Sequence, residues 1–241
     1  MEKAEIMDKI NACEEEYITL FCTKGREWGL YVYQDRQLPD LPSHNFLRIP
    51  EHIPVGRLRG LADVARNTAK ATGRSVLRIQ LSHPLSFTSA RSEHWLCSCL
   101  TDESALEKAA DLEFIPVDSR ERAEEFIEFE IACGGDSSFV RRCAERFSSV
   151  YLADNGLTCC LCRRGGQIVG RGELFISDGV ARIANIKTSP AEAEVDISNA
   201  LLQHLAEESK ARGAELIYTI SEIEVPGFTR VKDIYAVEWQ F

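Results

Sequence analysis

Apolar and polar positions follow two distinct periods between Leu157 and Ile220. Three β-rich runs come first, LTCCLCRR, QIVGRGELFI and VARIANIKTSP, with glycine-bearing turns at Gly165-Gly166 and Ser177-Asp178-Gly179 between them. Such turns predict two hairpins of an antiparallel meander. After Pro190 the apolar residues take helical spacing, and Gly213 stands where that helix should end before the run AELIYTI. The helical positions are Val195, Ile197, Leu201, Leu202 and Leu205. The stretch therefore predicts the order β-β-β-α-β.

The first half of the chain predicts a helix, a hairpin, a short strand, a second helix and a strand. The first helix covers about residues 2–16, and the hairpin joins EYITLFC to EWGLYVY around Thr23–Arg26. HNFLRIP is the short strand, and a helix over about 56–72 places Leu58, Leu61, Val64 and Ala65 inward before SVLRIQL.

The middle of the chain predicts a helix capped at Thr101–Glu103, the strand LEFIPV, and two helices over about 119–132 and 138–147. A strand at VYLA then precedes the meander, and DIYAVEWQF reads as a terminal strand.

The β-β-β-α-β order, with a proline just before its helix, resembles the acetyl-CoA-binding half of the GNAT acyltransferases. The N-terminal pattern is similar to part of the same order. The resemblance implies an α/β fold with a mixed, largely antiparallel sheet flanked by helices, built as two units. Residues 1–105 would form an abbreviated GNAT-like unit, and residues 106–241 would form a GNAT-like acyltransferase domain.

The resemblance also implies where acetyl-CoA would bind. In the family, a strand ending in a proline-terminated segment parts from its neighbour and offers backbone groups to the pantetheine arm; here that segment contains Ile186, Lys187 and Thr188. A loop patterned Arg/Gln-x-x-Gly-x-Gly/Ala then holds the pyrophosphate at a helix N-terminus. It falls on residues 193–198, so Ile197 and Ser198 are its remaining candidates for cofactor binding.

This loop departs from the family pattern, since Ala193 replaces the basic residue and Asp196 replaces the first glycine. Glu192, Glu194 and Asp196 place negative charge where a pyrophosphate would approach, and each close like-charge contact costs on the order of 1 kcal/mol. An acidic first helical turn explains the same residues without any ligand.

Candidates for general acid and base are few. Glu173 is the preferred base, with Glu222 as a second candidate, although a cross-strand ion pair is the more common explanation for a residue such as Glu173. Glu173 is expected to share one strand face with Val169, Arg171 and Phe175. In the family a helix after the last strand of this block carries a tyrosine that protonates the thiolate, but SEIEVP is too short for it. Tyr218 is the substitute acid, and Tyr235 is expected to pack.

Two functions remain open. One is transfer of an acyl group from acetyl-CoA to an amine, by direct attack. The other is a catalytically inactive GNAT-fold protein that serves as a binding or assembly module. An anionic ligand could also lie at Arg57 and Arg59, in the segment GRLRG that opens the second predicted helix.

Composition and net charge limit the classes of molecule that the protein is expected to bind. The 241 residues carry a net charge of -10, which disfavours nucleic acid and anionic membranes and favours small-molecule or lysine-type amines. The charged beginning lacks a signal-peptide core, so we expect a cytoplasmic protein, and the sequence leaves a homodimer open. The nine cysteines then predict reduced thiols rather than disulfides. Cys159, Cys160 and Cys162 read as strand residues rather than zinc ligands, and no metal is expected.

Overall fold

The computed structural model describes residues 2–27, 29–50, 53–71, 76–85, 87, 90–106, 111–135, 137–190 and 194–241, with the side chains of residues 55, 68, 71, 194 and 195 left aside. The helices are α1 (Lys3–Thr19), α2 (Val55–Ala71), α3 (Arg120–Gly134), α4 (Ser138–Tyr151) and α5 (Glu194–Ala211). The strands are β1 (Thr23–Glu27), β2 (Leu30–Gln34), β3 (Phe46–Arg48), β4 (Val76–Leu81), β5 (Arg91–Leu100), β6 (Glu113–Pro116), β7 (Leu157–Arg164), β8 (Gln167–Ser177), β9 (Val180–Thr188), β10 (Leu216–Ser221) and β11 (Phe228–Gln240).

The chain forms two compact units, and each is discontinuous in sequence. The larger unit contains Met1–Leu20 and Ser98–Val231, whereas the smaller unit contains Phe21–Cys97 and Lys232–Phe241. The division into 1–105 and 106–241 predicted contiguous segments, so the units seen here differ from it in the N-terminal helix and in the end of the chain.

The larger unit is built on the predicted meander, and the β-β-β-α-β order is confirmed. Its strands lie in the order β10-β9-β8-β7-β6. Gly165 and Gly166 both have positive φ, 56° and 85°, as do Asp178 and Gly179, 45° and 73°. Two consecutive residues in this region form the turn whose twist suits a hairpin. Each hairpin turn therefore lies where the sequence places it.

Helices cover both faces of this sheet. On one face α5 lies over two glycines of β8, because a Cβ on Gly170 would come within 2.9 Å of Ile197 Cγ2 and one on Gly172 within 2.8 Å of Leu205 Cδ1. The alternating residues of β8, Arg171 and Glu173, point to the opposite face and contact α1, α3 and α4. The core beneath α5 includes Leu174, Ile183, Leu202 and Leu205.

The smaller unit has the strand order β1-β2-β3-β4-β11-β5. Its apolar core joins α2 to one sheet face, and its members are Leu30, Val32, Leu47, Ile49, Leu58, Ala62, Ala65, Ala69, Leu77, Ile79, Leu81, Val237 and Trp239. Leu58 and Ala65 are inward as predicted, but the prediction for Val64 is wrong, since 51% of that residue is exposed. Ala62 and Ala69 fill the inward positions of the helix instead.

Two predicted strands are helical. EYITLFC contributes its first residues to α1, which ends at Thr19, and β1 then begins at Thr23. VYLA belongs partly to α4, which ends at Tyr151. In both cases a tyrosine near the helix end, Tyr17 or Tyr151, packs into the larger unit and keeps the helical turn. The helix expected after Thr101–Glu103 is a single 3₁₀ turn over Glu103–Ala105, and residues 107–110 lie outside the described part.

Within the described residues, no helix is long and apolar enough to cross a membrane.

Candidate functional site

Strands β9 and β10 pair over only part of their length. The parallel pairs run from Leu216↔Val180 to Thr219↔Ile183, and the described residues 184–188 of β9 lie beyond the last pair. On its other edge β9 continues to pair with β8 as far as Thr188↔Gly170. The segment containing Ile186, Lys187 and Thr188 therefore has one edge bound to β8 and one edge turned away from it.

A β-bulge between β8 and β9 lies just after the point where β9 stops pairing with β10. The β8–β9 register shifts between Arg171 and Glu173, so Gly172 faces both Asn185 and Ile186. Asn185 has φ 49°, in the left-handed region that non-glycine residues seldom adopt, although asparagine tolerates it better than most. A left-handed residue at such a position is characteristic of one class of β-bulge and re-aims the strand that follows.

Backbone alternation places one N–H on the open edge of β9. The Ser189 N–H donates to the Val169 carbonyl of β8 at 2.8 Å. Since successive N–H groups of a strand point to opposite edges, the N–H of Thr188 points away from β8. The side chain of Lys187 is engaged elsewhere, with its Nζ 2.7 Å from Glu130 Oε2 of α3.

The first turn of α5 follows this strand after Pro190. Ile197 has no exposed surface and packs with Cys162, Val169 and Leu201, so its side chain belongs to the apolar core rather than to a ligand site. Ser198 is half-buried, and Asp196 is exposed. Residues 191–193, including Glu192 and Ala193 of the predicted loop, lie outside the described part of the chain.

Glu173 lies at the centre of a buried polar cluster in the larger unit. It is 1% exposed. Its Oε1 accepts from Tyr151 Oη at 2.5 Å and from Arg171 Nη1 at 2.9 Å. Its Oε2 accepts from Tyr17 Oη and from Asn185 Nδ2, each at 2.9 Å. Both oxygens are thus saturated by donors from α1, α4, β8 and β9.

Charges around Glu173 are balanced by further pairs. Arg171 also donates from Nε to Glu130 Oε1 at 2.8 Å and from Nη1 to the Asn185 carbonyl at 2.8 Å. Burial alone would raise the pKa of Glu130, but the charges of Arg171 and Lys187 outweigh it and lower that pKa below its ordinary value. Glu130 therefore stays ionised between two cations.

Tyr218 is equally enclosed, with no exposed surface. Its hydroxyl donates to Glu14 Oε1 of α1 at 2.8 Å, and the same oxygen accepts from Arg182 Nε. The Arg182 guanidinium lies 3.9 Å from the ring centroid of Tyr17. Glu173 and Tyr218 are hence linked through α1, although neither contacts the other in this chain of bonds.

All three tyrosines of this region remain protonated. Burial raises the pKa of Tyr17 and of Tyr151 well above the ordinary value, and the charge of Glu173 raises both further. Burial likewise raises the pKa of Tyr218, with the charge of Glu14 adding to the effect. These hydroxyls are hydrogen-bond donors at neutral pH, and they hold their carboxylates in fixed positions.

Several contributors to this cluster were not predicted from the sequence. Tyr17 was assigned to a strand of the N-terminal unit, and Tyr151 to a strand before the meander. Glu130 was expected only as one residue of the helix over about 119–132. The available signal was the helical spacing of Ile10, Cys13 and Tyr17, which predicts that α1 buries the tyrosine.

The other sequence candidates lie apart from the cluster. Glu222 is exposed in the connection after β10, and Tyr235 packs against the core of the smaller unit. Arg57 and Arg59 are exposed on α2, and the Arg59 guanidinium lies 4.9 Å from the ring centroid of Phe87. Cys159, Cys160 and Cys162 are buried free thiols of β7. Among the residues that the structure describes, no group of three or more His, Cys, Asp or Glu is arranged to hold a metal ion.

Val169 does not share a face with Arg171 and Glu173, contrary to the expectation from alternation. The β7–β8 register shifts beside it, between Cys162 and Arg163. This bulge turns Val169 toward Ile197 and Leu201 of α5.

Solved structures share this architecture over most of the chain. A conserved protein of unknown function from Staphylococcus epidermidis matches with a TM-score of 0.70 and 10% identity, over 92% of this chain and 95% of that one. A GCN5-related N-acetyltransferase from Kribbella flavida matches with a TM-score of 0.65 and 13% identity, over 95% and 94%. A tandem GNAT protein of clavulanic acid biosynthesis matches with a TM-score of 0.56 and 15% identity, over 89% and 81%.

No protein-family model and no curated protein matches the sequence. The structural likeness extends over most of both units. The chain has the fold of the GNAT acetyltransferases and shares it with a tandem GNAT protein.

Proposed function

We propose that this protein binds acetyl-CoA along the open edge of β9 and transfers its acetyl group to an amine. The observation that carries the proposal is the end of β9–β10 pairing at Ile183↔Thr219. Thr188 lies beyond the part of β9 that pairs with β10, and its N–H points away from β8, next to the segment that leads into α5. A strand edge beyond its paired part can hydrogen-bond an extended amide-bearing ligand such as the pantetheine arm, although the Thr188 carbonyl on this edge already accepts from Cys133 Sγ at 4.0 Å.

The residues present fit part of the donor. The Thr188 N–H suits the amide groups of the arm, and the backbone of Ile186 and Lys187 lies on the same segment. The first turn of α5, at residues 194–196, offers backbone N–H groups and a positive dipole end to the pyrophosphate, whereas the N–H groups of Ile197 and Ser198, further along the helix, are directed back into it. Asp196 opposes it with negative charge, so we expect weak binding of the nucleotide part. Acetyl-CoA, when bound, supplies an activated thioester.

The protein would promote the reaction by orienting acetyl-CoA and the amine rather than by transferring protons. Glu173 and Tyr218, the candidates for base and acid, are buried and already hydrogen-bonded. An acceptor amine would therefore enter in its neutral form and attack the thioester carbon. The C–S bond breaks, CoA leaves as a thiolate, and water carries the proton lost by the amine to that thiolate. Holding the two reactants together can supply much of the barrier reduction by itself. The net charge of -10 favours small-molecule or lysine-type amines as acceptors.

The second candidate function is a catalytically inactive binding or assembly protein. The saturation of Glu173 by donors from two helices and two strands favours it, because a carboxylate with four hydrogen bonds has no free lone pair for a substrate proton. Such a protein would still bind a ligand along the open edge of β9 but would not catalyse acetyl transfer.

Calorimetric titration of CoA into the full chain tests the donor site. Asp196→Asn removes the opposing charge, so we expect affinity to rise about two- to fivefold. Glu207→Gln is the matched control, because it lies on the same helix at roughly 16 Å from residue 196, beyond the screening length of about 10 Å. Equal gains in CoA affinity in both variants would indicate that the pyrophosphate binds elsewhere. No binding heat from the parent or either variant at millimolar CoA would reject the site.

Release of free CoA thiol then separates the two functions. We expect release from acetyl-CoA to depend on an added amine, such as a lysine peptide or a polyamine. Binding without amine-dependent release would instead establish the inactive module.

A further inference from the structure

We propose that Tyr17 is a positioning residue that holds the β9 bulge, and with it the backbone edge that receives the acyl donor. The proposal rests on the donor site described above but concerns a different element, the N-terminal helix α1. It assigns to that helix a role in setting the geometry of a strand that is distant in sequence.

The bulge is held by side chains rather than by strand pairing. Asn185 Nδ2 donates to Glu173 Oε2 at 2.9 Å and to Tyr17 Oη at 3.1 Å. Tyr17 Oη in turn donates to the same Oε2 at 2.9 Å. These three groups form a closed triangle of hydrogen bonds. Since Tyr17 belongs to α1, that helix directly contacts the side chain that keeps Asn185 in its left-handed conformation. Side-chain contacts that over-determine a strained backbone are what allow it to persist.

The direction of the following residues depends on that conformation. One extra residue on β9 at the bulge shifts the register, and the next pair is Lys187↔Arg171. If Asn185 relaxed toward an ordinary strand conformation, the alternation from residue 186 onward would change, and the N–H of Thr188 would lose its outward direction. Tyr17 thereby acts on the donor edge through Asn185, without touching the donor.

A second tyrosine provides a matched control. Tyr151 of α4 also donates to Glu173, but to Oε1, which it shares with Arg171. Tyr17→Phe and Tyr151→Phe each remove one buried hydrogen bond to the same carboxylate, and only the first removes a direct contact with Asn185. The ring of Tyr17 and its stacking with Arg182 survive in the phenylalanine variant.

Amide hydrogen exchange in the ligand-free protein tests the proposal. We expect Tyr17→Phe to speed exchange in residues 184–189 roughly tenfold, while residues 180–183 of the same strand exchange as in the parent. Tyr151→Phe should leave both segments alike. Equally faster exchange of residues 184–189 in the two variants would show that Tyr17 only stabilises the fold. Unchanged exchange in both variants would contradict the positioning role.

Donor affinity gives an independent readout. Tyr17→Phe should weaken acetyl-CoA binding by roughly tenfold, and Tyr151→Phe by less than about twofold. If the parent protein bound no acetyl-CoA, the proposed function would fail, whereas the exchange experiment would still decide whether Tyr17 holds the bulge. Unchanged affinity in a binding-competent Tyr17→Phe would contradict the proposal.

Discussion

At the scale of single residues, Glu173 is best described as a structural carboxylate. Glu173→Gln would turn an amide toward hydroxyl, amide and guanidinium donors, leaving buried groups unpaired. We expect the free energy of unfolding, measured by urea denaturation, to fall by about 3 kcal/mol. Glu222→Gln, at the exposed alternative base, should change it by less than about 0.5 kcal/mol. Comparable losses in the two variants would contradict this role.

The sequence identified several of these residues but not their environment. Alternation along β8 correctly paired Arg171 with Glu173 on one face. It failed at Val169, because a bulge is a change in period that no single-sequence pattern announces. The burial of Glu173 was also out of reach, since two of its four donors come from helices that were predicted to end sooner.

At the scale of elements, the packing of α5 on β8 requires glycine. A Cβ on Gly170 would lie 2.9 Å from Ile197 Cγ2 and 3.1 Å from the Lys187 carbonyl oxygen, which is backbone and cannot move freely. Gly170→Ala should therefore cost about 1–3 kcal/mol. Gly60→Ala in α2 is the control, because no atom lies within 4 Å of its added Cβ, and a helix interior gains about 0.5–1 kcal/mol from alanine. Thermal unfolding of both variants checks whether stability falls in Gly170→Ala and rises in Gly60→Ala.

Elements with a clean period were predicted well. The meander and α5 were found at nearly their observed bounds, because glycine turns and the change from a period of two to one of 3.6 are local signals. The ends of α1 and α4 were missed, because β-branched and aromatic residues favour strand locally. Tertiary contacts of Tyr17 and Tyr151 with Glu173 override that preference.

At the scale of the whole molecule, sequence order and compact units do not coincide. The larger unit takes its first helix from residues 1–20 and the rest from 98–231. The hydrogen bond between Tyr17 and Glu173 joins positions 156 residues apart. Local patterns predict elements and their order, whereas the assignment of a terminal helix to one unit depends on side-chain contacts that appear only after folding.

Hydrogen exchange across the full chain, with and without saturating acetyl-CoA, tests the central claim most directly. Binding along the open edge of β9 predicts slower exchange concentrated in residues 184–189 and in the first turn of α5. At about 100 times its Kd, the ligand should also raise the free energy of unfolding by about 2.7 kcal/mol. Protection confined to the start of α2, near Arg57 and Arg59, or no protection at millimolar ligand, would contradict the account.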